Sequence, residues 1–213
     1  MQNVIDHVTI GAASLDQGVA FLRAGFGVEI PRGGKHPDMG TYNCVARTVP
    51  GEFLEVIAID PDAPPPAGPR WFGLDVQARR DQLARQPAPV GWVVRTSDIR
   101  AVQAASPVEL GPARSMSRGV LSWQLTVPRS GLSALDGLVP SFIQWDGEPH
   151  PSYNMAPSGL QLEMVILRHP RPDDVLRCLV ALSIERLARV ESSDAPSLAF
   201  IFRLPDGRTC QVS

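Results

Sequence analysis

The chain has 213 residues, of which 44% are hydrophobic and 20% are charged, and its formal net charge at pH 7 is −2. This composition is typical of a folded protein with a full apolar core, and the absence of any Lys/Arg run argues against nucleic acid or an anionic membrane as a partner. No apolar stretch approaches the ~20 residues that span a bilayer, and the N-terminus lacks the pattern of a signal peptide. The three cysteines are odd in number and far apart, which indicates free thiols in a reducing compartment. We therefore expect a cytoplasmic protein.

Residues 1–60 carry the pattern of a β-α-β-β-β unit. Alternating residues predict a strand over 4–10, with His7 on one face and Val8 on the other. Ser14 with Gln17 three residues later is the capping-box pattern of a helix start, and a pair of glycines ends the helix. Three further strands are predicted over 28–31, 41–48 and 53–59, with the His36 loop after the first and a Pro-Gly turn before the last.

The strand predicted over 53–59 contains a single carboxylate, Glu55. With a period of two, Glu55 shares a face with Phe53 and Ile57. A carboxylate among large apolar neighbours costs free energy unless it is paired, protonated or bound to a metal, and burial without a partner raises its pKa. Glu55 is therefore a candidate functional residue, with a salt-bridged structural carboxylate as the alternative.

The pattern recurs further along the chain. Within 88–147, strands are predicted over 91–96, 121–127 and 141–145, with a short helix that Asp98 caps. Residues 160–213 predict a β-α-β-β extension, in which a Pro-Asp-Gly turn joins the last two strands. Proline-rich linkers separate the units at 61–69, 87–89 and 149–157.

The segments IDHVTIGAASLDQGVAFLRAGFGV, GGKHPDMGTYN and EFLEVIAID resemble the glyoxalase-like domain family. This family belongs to the vicinal oxygen chelate superfamily, with glyoxalase I, extradiol dioxygenases and bleomycin-resistance proteins. The resemblance is strongest over 4–60 and continues more weakly to the end. It implies an α+β fold in which paired βαβββ modules, 1–60 and 88–147, form curved mixed sheets around a cavity. Residues 160–213 would be a third, partial module, and 1–213 a single domain.

The resemblance also implies a site. In metal-binding members, four inward-facing strand positions supply the ligands, and the first two correspond to His7 and Glu55. The third falls at or near Trp92, with an ambiguity of one residue, and the fourth near Gln144. Trp cannot ligate a metal and Gln does so weakly, so His7 and Glu55 are the two good candidate ligands. The ion would be zinc, iron, nickel or manganese, and a protein without metal is the open alternative.

Candidate catalytic residues are His7, Glu55 and His36, and each histidine has an ordinary alternative. His7 would otherwise be a buried imidazole bonded within the sheet, and His36 an exposed loop residue. The expected substrate-binding residues are Trp92, Asn43, Thr41, Gln144 and His150. Trp92 could instead fill the core, and His150 could belong to a polar linker.

Two functions are compatible with these residues. The first is an enzyme of the glyoxalase-like type, a lyase, isomerase or dioxygenase, in which a divalent metal polarises a small oxygenated substrate. The alternative is a metal-free protein that binds or sequesters a small molecule, as bleomycin-resistance proteins do. A homodimer is compatible with either function.

Overall fold

The computed structural model describes residues 3–213, so the first two residues of the predicted 1–60 module lie outside the description. The main sheet contains β1 (Val4–Gly11), β2 (Arg32–His36), β3 (Thr41–Arg47), β4 (Phe53–Ile59), β5 (Ala88–Arg95), β6 (Ala113–Arg118), β7 (Leu121–Thr126) and β8 (Ser141–Trp145). The C-terminal sheet contains β9 (Gln161–His169), β10 (Arg189–Ser192), β11 (Ser197–Arg203) and β12 (Thr209–Val212). The helices are α1 (Leu15–Phe26), α2 (Gln77–Arg85), α3 (Ile99–Ala105), α4 (Ala134–Gly137) and α5 (Pro172–Ala181). None of the helices in residues 3–213 is long and apolar enough to cross a membrane.

Two βαβββ modules form one sheet of eight strands, in the order β2-β3-β4-β1-β5-β8-β7-β6. The first strands of the modules, β1 and β5, pair antiparallel at the centre. In each module the first strand also pairs in parallel with the last, β1 with β4 and β5 with β8. The sheet curves until its two edges approach, and His36 Nε2 on β2 lies 3.5 Å from Arg118 Nη1 on β6. This arrangement confirms the expected α+β fold of paired modules around a cavity.

Local sequence signals position the two module helices. Ser14 Oγ accepts a hydrogen bond from Gln17 N at 3.2 Å, and Gly27 ends α1 in the left-handed conformation. Asp98 Oδ1 accepts from Ala101 N at 2.9 Å and caps α3 as predicted. Each cap satisfies a backbone N–H that has no partner within its helix.

Apolar side chains fill both faces of the curved sheet. The outer face packs on α1, on α3 and on the C-terminal sheet in one continuous core, to which Val8, Leu54 and Trp92 belong. The inner face packs on a short 3₁₀ turn, Trp71–Gly73, which the linker between the modules inserts into the concave side. The linker is therefore part of the interior.

The C-terminal segment forms a separate sheet in the order β10-β9-β11-β12. Three strands, β10, β11 and β12, follow the helix α5, whereas the sequence predicts only two strands there. The strand order also differs from that of the modules, because β9 pairs with the strand directly after its helix. The sheet packs on the modules through an edge contact between Phe26 and Phe202, with ring centroids 5.9 Å apart. The assignment of 1–213 to one domain stays a prediction.

Other elements also differ from the sequence expectation. The strand predicted over 28–31 lies instead at β2, so His36 ends a strand. The strand β6 was not predicted because polar residues interrupt its pattern, which is usual at a sheet edge. The helix α2 was missed because it buries a single side chain, Leu83, and so shows no apolar stripe.

The inner packing gives a stability test at Gly91 on β5. A Cβ added there would lie 2.4 Å from Phe72 Cδ1, so Gly91→Ala should destabilise the fold by about 1–3 kcal/mol through overpacking. The matched control is Gly25→Ala on α1, where a Cβ meets no heavy atom within 4 Å. The control should be neutral or stabilising by up to about 1 kcal/mol, because alanine favours helices. Urea unfolding measures both, and equal effects would contradict this packing of β5 on Phe72.

Candidate functional site

The concave face of the main sheet encloses a cavity of about 510 Å³ of atom-free space, including its opening to solvent. Polar and aromatic side chains share its wall. The polar ones are His7, His36, Asn43, Glu55 and Arg118, and the aromatic ones are Phe53, Trp71, Phe72, Trp123 and Trp145. A few polar groups in a largely apolar cleft are typical of a small-molecule site.

His7 is held in the cavity wall by two contacts. Its Nδ1 lies 2.7 Å from Asp6 Oδ1, and its ring stacks on Phe53 with centroids 4.4 Å apart. Consecutive strand residues usually face opposite ways, but a register shift between Ile5 and His7 breaks the alternation at Asp6. A proton on Nδ1, facing Asp6, leaves Nε2 available to the cavity.

Asp6 is the centre of a buried hydrogen-bond network. Its side chain is 0% exposed and accepts from His7, from His150 Nε2 at 2.9 Å and from Trp145 Nε1 at 2.9 Å. Burial alone would raise the pKa of Asp6, but the hydrogen bonds from His150 and His7 outweigh burial and hold the pKa well below its usual range. The site therefore contains a fixed negative charge behind His7.

Glu55 is bound by neutral donors. Its Oε1 accepts from Asn43 Nδ2 at 2.7 Å, and its Oε2 accepts from Thr9 Oγ1 at 3.1 Å. The distance from Glu55 Oε2 to His7 Nε2 is 3.8 Å, too long for a hydrogen bond. The two residues do lie on adjacent strands and line the same cavity. Asp6 takes the direct hydrogen bond of His7, and Glu55 faces Nε2 across a short gap.

His36 is half-buried at the edge of the cavity. Its Nδ1 lies 3.2 Å from Thr41 Oγ1, and its ring meets Trp71 edge-on with centroids 5.0 Å apart. Burial lowers the pKa of His36 to about 4; the nearby Glu55 opposes this shift and Arg118 adds to it. The imidazole is therefore neutral at neutral pH.

The sequence profile of the glyoxalase-like domain family matches residues 5–183. The chain belongs to this family, within the vicinal oxygen chelate superfamily. A search of curated proteins finds no match to the chain.

One solved structure shows the same fold. A hypothetical protein from Staphylococcus aureus is similar with a TM-score of 0.66 and 16% identity, over 92% of this chain and 88% of that one. Methylmalonyl-CoA epimerase from Mycobacterium tuberculosis shares 16% identity over 68% of this chain and 89% of its own, with a TM-score of 0.44. A variant of the Streptomyces coelicolor enzyme, in complex with 2-nitronate-propionyl-CoA, shares 18% identity over 68% and 98%, also with a TM-score of 0.44. With TM-scores this low, the two epimerases support no statement about the present chain.

Strand register identifies the counterparts of His7 and Glu55 in the second glyoxalase-like module. On β1 and β4, His7 pairs with Phe53, and Glu55 lies two residues beyond. On β5 and β8, Val93 pairs with Ser141, and Ile143 lies two residues beyond. Val93 is also the partner of His7 across the central strand pair. Both Val93 and Ile143 belong to the inner apolar cluster, so the second module supplies no ligand atoms at these positions.

The expected cavity positions of Trp92 and Gln144 are therefore wrong by one residue each. A shift of one residue along a strand moves a side chain to the opposite face. Trp92 is 0% exposed in the outer core and donates to Leu138 O at 2.8 Å. Gln144 Oε1 accepts from Ile99 N at 2.9 Å and holds the start of α3. Neither side chain lines the cavity.

Three other expected binding residues take supporting positions. Asn43 lines the cavity, but both ends of its amide are used, since Nδ2 donates to Glu55 and Oδ1 accepts from Gly34 N at 2.8 Å. Thr41 is buried behind His36, outside the cavity lining. His150 is buried behind the wall, between Asp6 and Ser152.

The residues present do not fit the four-ligand metal site that the resemblance implies. Two of the four positions are the hydrocarbon side chains of Val93 and Ile143, and both Glu55 oxygens already accept hydrogen bonds. Catalytic zinc sites generally use three protein ligands. Within residues 3–213, no group of three or more His, Cys, Asp or Glu is placed to hold one ion.

Sequence reasoning missed three residues of the site, Asp6, Trp71 and Arg118. Asp6 was not among the candidate residues, because the bulge that turns it inward depends on pairing with β5. Trp71 follows the proline-rich segment 61–69 that was interpreted as a linker, although the adjacent aromatic residues Trp71 and Phe72 were a usable signal. Arg118 ends the strand that was not predicted, and the Gly119 turn before β7 was the available hairpin signal.

The network around Asp6 predicts the response to Asp6→Asn. Removing the charge while keeping the shape should destabilise the fold at pH 7 by about 3–5 kcal/mol, because buried donors lose their ionised acceptor. The folded pKa lies below the unfolded value of about 3.9, so this stabilisation is complete above about pH 4 and declines as the pH falls further. Denaturant unfolding of the wild type and of Asp6→Asn from pH 7 to pH 3 should therefore show that the difference in their free energies of unfolding becomes smaller at acid pH.

The control is Asp194→Asn, at an exposed position, whose free energy of unfolding should stay within about 0.5 kcal/mol of the wild type. A pH-independent difference for Asp6→Asn would contradict the ionised network.

The neutral state of His36 can be measured directly. In ¹H NMR titration, the His36 ring, assigned from the His36→Gln spectrum, should titrate with a pKa of about 4. An unfolded histidine titrates near 6.5, so the unfolded chain binds the extra proton first, and His36 lowers the stability as the pH falls from about 6.5 to about 4. A midpoint near 6.5 would show that burial and Arg118 do not act on the ring in this way.

Proposed function

We propose that the protein is an enzyme that moves a proton on a small oxygenated molecule, with His7 as the general base. The observation that carries the proposal is the Asp6–His7 pair. Asp6 holds Nδ1, and Nε2 lies in a cavity 3.8 Å from a second carboxylate, Glu55. A carboxylate that orients an imidazole and stabilises its protonated form is the arrangement that general-base catalysis uses.

The chemistry needs only the residues of this chain. Nε2 of His7 removes a proton from carbon next to a carbonyl, the electron pair of that C–H bond moves into the carbonyl, and an enolate forms. The charges of Asp6 and Glu55 stabilise the imidazolium that results. Return of a proton from Nε2 to the same face of that carbon regenerates the molecule with exchange of the C–H proton, and arrival of a proton at the opposite face completes an epimerisation. Neither outcome consumes an oxidant, a reductant or water. No step passes through a metal, in keeping with the apolar counterparts of His7 and Glu55.

A binding protein of the sequestering type is the second candidate. What favours it is the apolar second half of the cavity, where the rings of Trp123 and Trp145 lie 5.2 Å apart. Aromatic walls of this kind suit a planar apolar ligand. Such a protein would bind its ligand without catalysing proton exchange. The expected homodimer and the cytoplasmic location stay predictions.

Deuterium exchange separates the two candidates. Untagged protein that has been treated with a chelator is added to 2-oxo acids and methyl ketones in D₂O. For one or more of these compounds, the protein should accelerate exchange of the C–H protons next to the carbonyl, measured by the loss of their ¹H NMR signals. His7→Gln should lower that rate about 10²–10⁴-fold, because a positioned base contributes roughly this factor. Glu55→Gln should lower it in the same direction, and Glu163→Gln, an exposed carboxylate of the C-terminal sheet, should leave it unchanged.

Two outcomes would overturn the proton-transfer proposal. One is an exchange rate in His7→Gln equal to that of the wild type. The other is a wild-type rate that disappears on chelation and returns with a divalent metal. Tight ligand binding without exchange in any compound of the panel would favour the sequestering protein.

A further inference from the structure

We propose that Trp71 and Arg118 form an anion subsite in the cavity, and that the molecule bound there carries a carboxylate. That this carboxylate ligand is also the substrate rests on the proposed function. The subsite itself requires binding alone. Both residues line the cavity, and neither was among the residues expected from the sequence.

Trp71 contributes a hydrogen-bond donor without an acceptor. Its side chain is 5% exposed, and its buried Nε1 has no hydrogen-bond partner within residues 3–213. Two of the other three tryptophans have acceptors, since Trp92 donates to a backbone carbonyl and Trp145 donates to Asp6. A buried donor without a partner costs free energy, and native proteins seldom retain one without a reason. A ligand oxygen in the cavity would supply the acceptor.

Arg118 contributes a positive charge without a counter-ion. In the described part of the chain, no carboxylate lies within 4.0 Å of its guanidinium, whereas the cations of Arg70 and Lys35 are paired with acidic residues. Its side chain lies along the opposite edge strand, where Gly34 makes room, because a Cβ at Gly34 would stand 2.9 Å from Arg118 Cδ. The glycine therefore allows the guanidinium to reach the cavity.

His36 contacts both Trp71 and Arg118 without cancelling the charge of Arg118. Its ring packs edge-on against Trp71, and its Nε2 lies 3.5 Å from Arg118 Nη1. Because this imidazole is neutral and Nδ1 lies beside the Thr41 hydroxyl, Nε2 can accept from the guanidinium and hold it in place. The charge of Arg118 remains available to a ligand.

A carboxylate is the group that matches these donors. A guanidinium presents a planar pair of N–H groups that fits two carboxylate oxygens, and the indole N–H adds a third donor. Glu55, in the same cavity, repels an anion and therefore orients the ligand. The ligand's carboxylate would lie at Arg118, and its carbonyl end would face His7 and Glu55.

The test compares phenylacetate with phenylacetamide, which is similar in shape and uncharged. In ¹⁵N-labelled protein, phenylacetate should shift the indole N–H signal of Trp71, assigned by its loss in Trp71→Phe. The signal of Trp92 serves as the internal control, because Trp92 lies outside the cavity lining and its N–H group already has an acceptor. By NMR titration, phenylacetate should bind at least about 10-fold more tightly than phenylacetamide. Arg118→Gln should remove that preference, and Arg118→Lys should restore part of it, because it keeps the charge and loses the planar fork.

Equal binding of the acid and the amide would overturn the proposal, and so would an unchanged preference in Arg118→Gln. Failure of phenylacetate, acetate and 2-oxobutyrate to bind at all would also overturn it. Because the ligand class does not depend on the proposed reaction, His7→Gln is titrated in parallel. Phenylacetate binding that survives in His7→Gln, together with no exchange by the wild type, refutes the proton-transfer proposal and leaves the subsite intact. Exchange by the wild type without any preference for carboxylates refutes the subsite alone.

Discussion

The buried carboxylate of Asp6 is the constraint on which the candidate site depends. An ionised group at zero exposure is stable only when donors surround it, and here His7, His150 and Trp145 supply them from three separate parts of the chain. These donors come from β1, from the end of β8 and from the segment that follows β8. The requirement to satisfy one charge therefore links the second module's last strand, β8, to the first module's first strand, β1, across the intervening β5, and it fixes the ring of His7 in one orientation.

The two modules share their strand pairing but differ in the side chains that they place in the cavity. At matched register positions, the first module has His7 and Glu55, and the second has Val93 and Ile143. At these positions the first module is therefore polar and the second apolar. A ligand in such a cleft takes one orientation, because its polar groups are favoured beside His7, Glu55 and Arg118 and its apolar part beside the aromatic and hydrocarbon side chains. This asymmetry also explains why a four-ligand metal site does not fit this member of the glyoxalase-like family.

Closure of the cavity depends on segments far apart in the sequence. The linker turn at Trp71 fills the concave face, while His36 and Arg118 meet across the gap between the two sheet edges. Local sequence cannot show that these three side chains meet at one site. The part of the cavity wall that His36 and Arg118 form exists only because the sheet curves far enough to bring β2 and β6 together. This curvature is a property of the whole sheet.

The sequence by itself determined the β-α-β-β-β order of the first module and the helix caps at Ser14 and Asp98. These features are local, because helix caps and the two-residue period of a strand depend on near neighbours. The shared cavity of His7 and Glu55 was implied by the family resemblance. Tertiary structure alone decided which residues of the second module face inward, and it reversed the expectation for Trp92 and Gln144. It also turned Asp6 toward His7 and brought Trp71 and Arg118 into the cavity. The physical reason is that register and bulges are set by pairing between distant strands, and a shift of one residue exchanges the two faces of a strand.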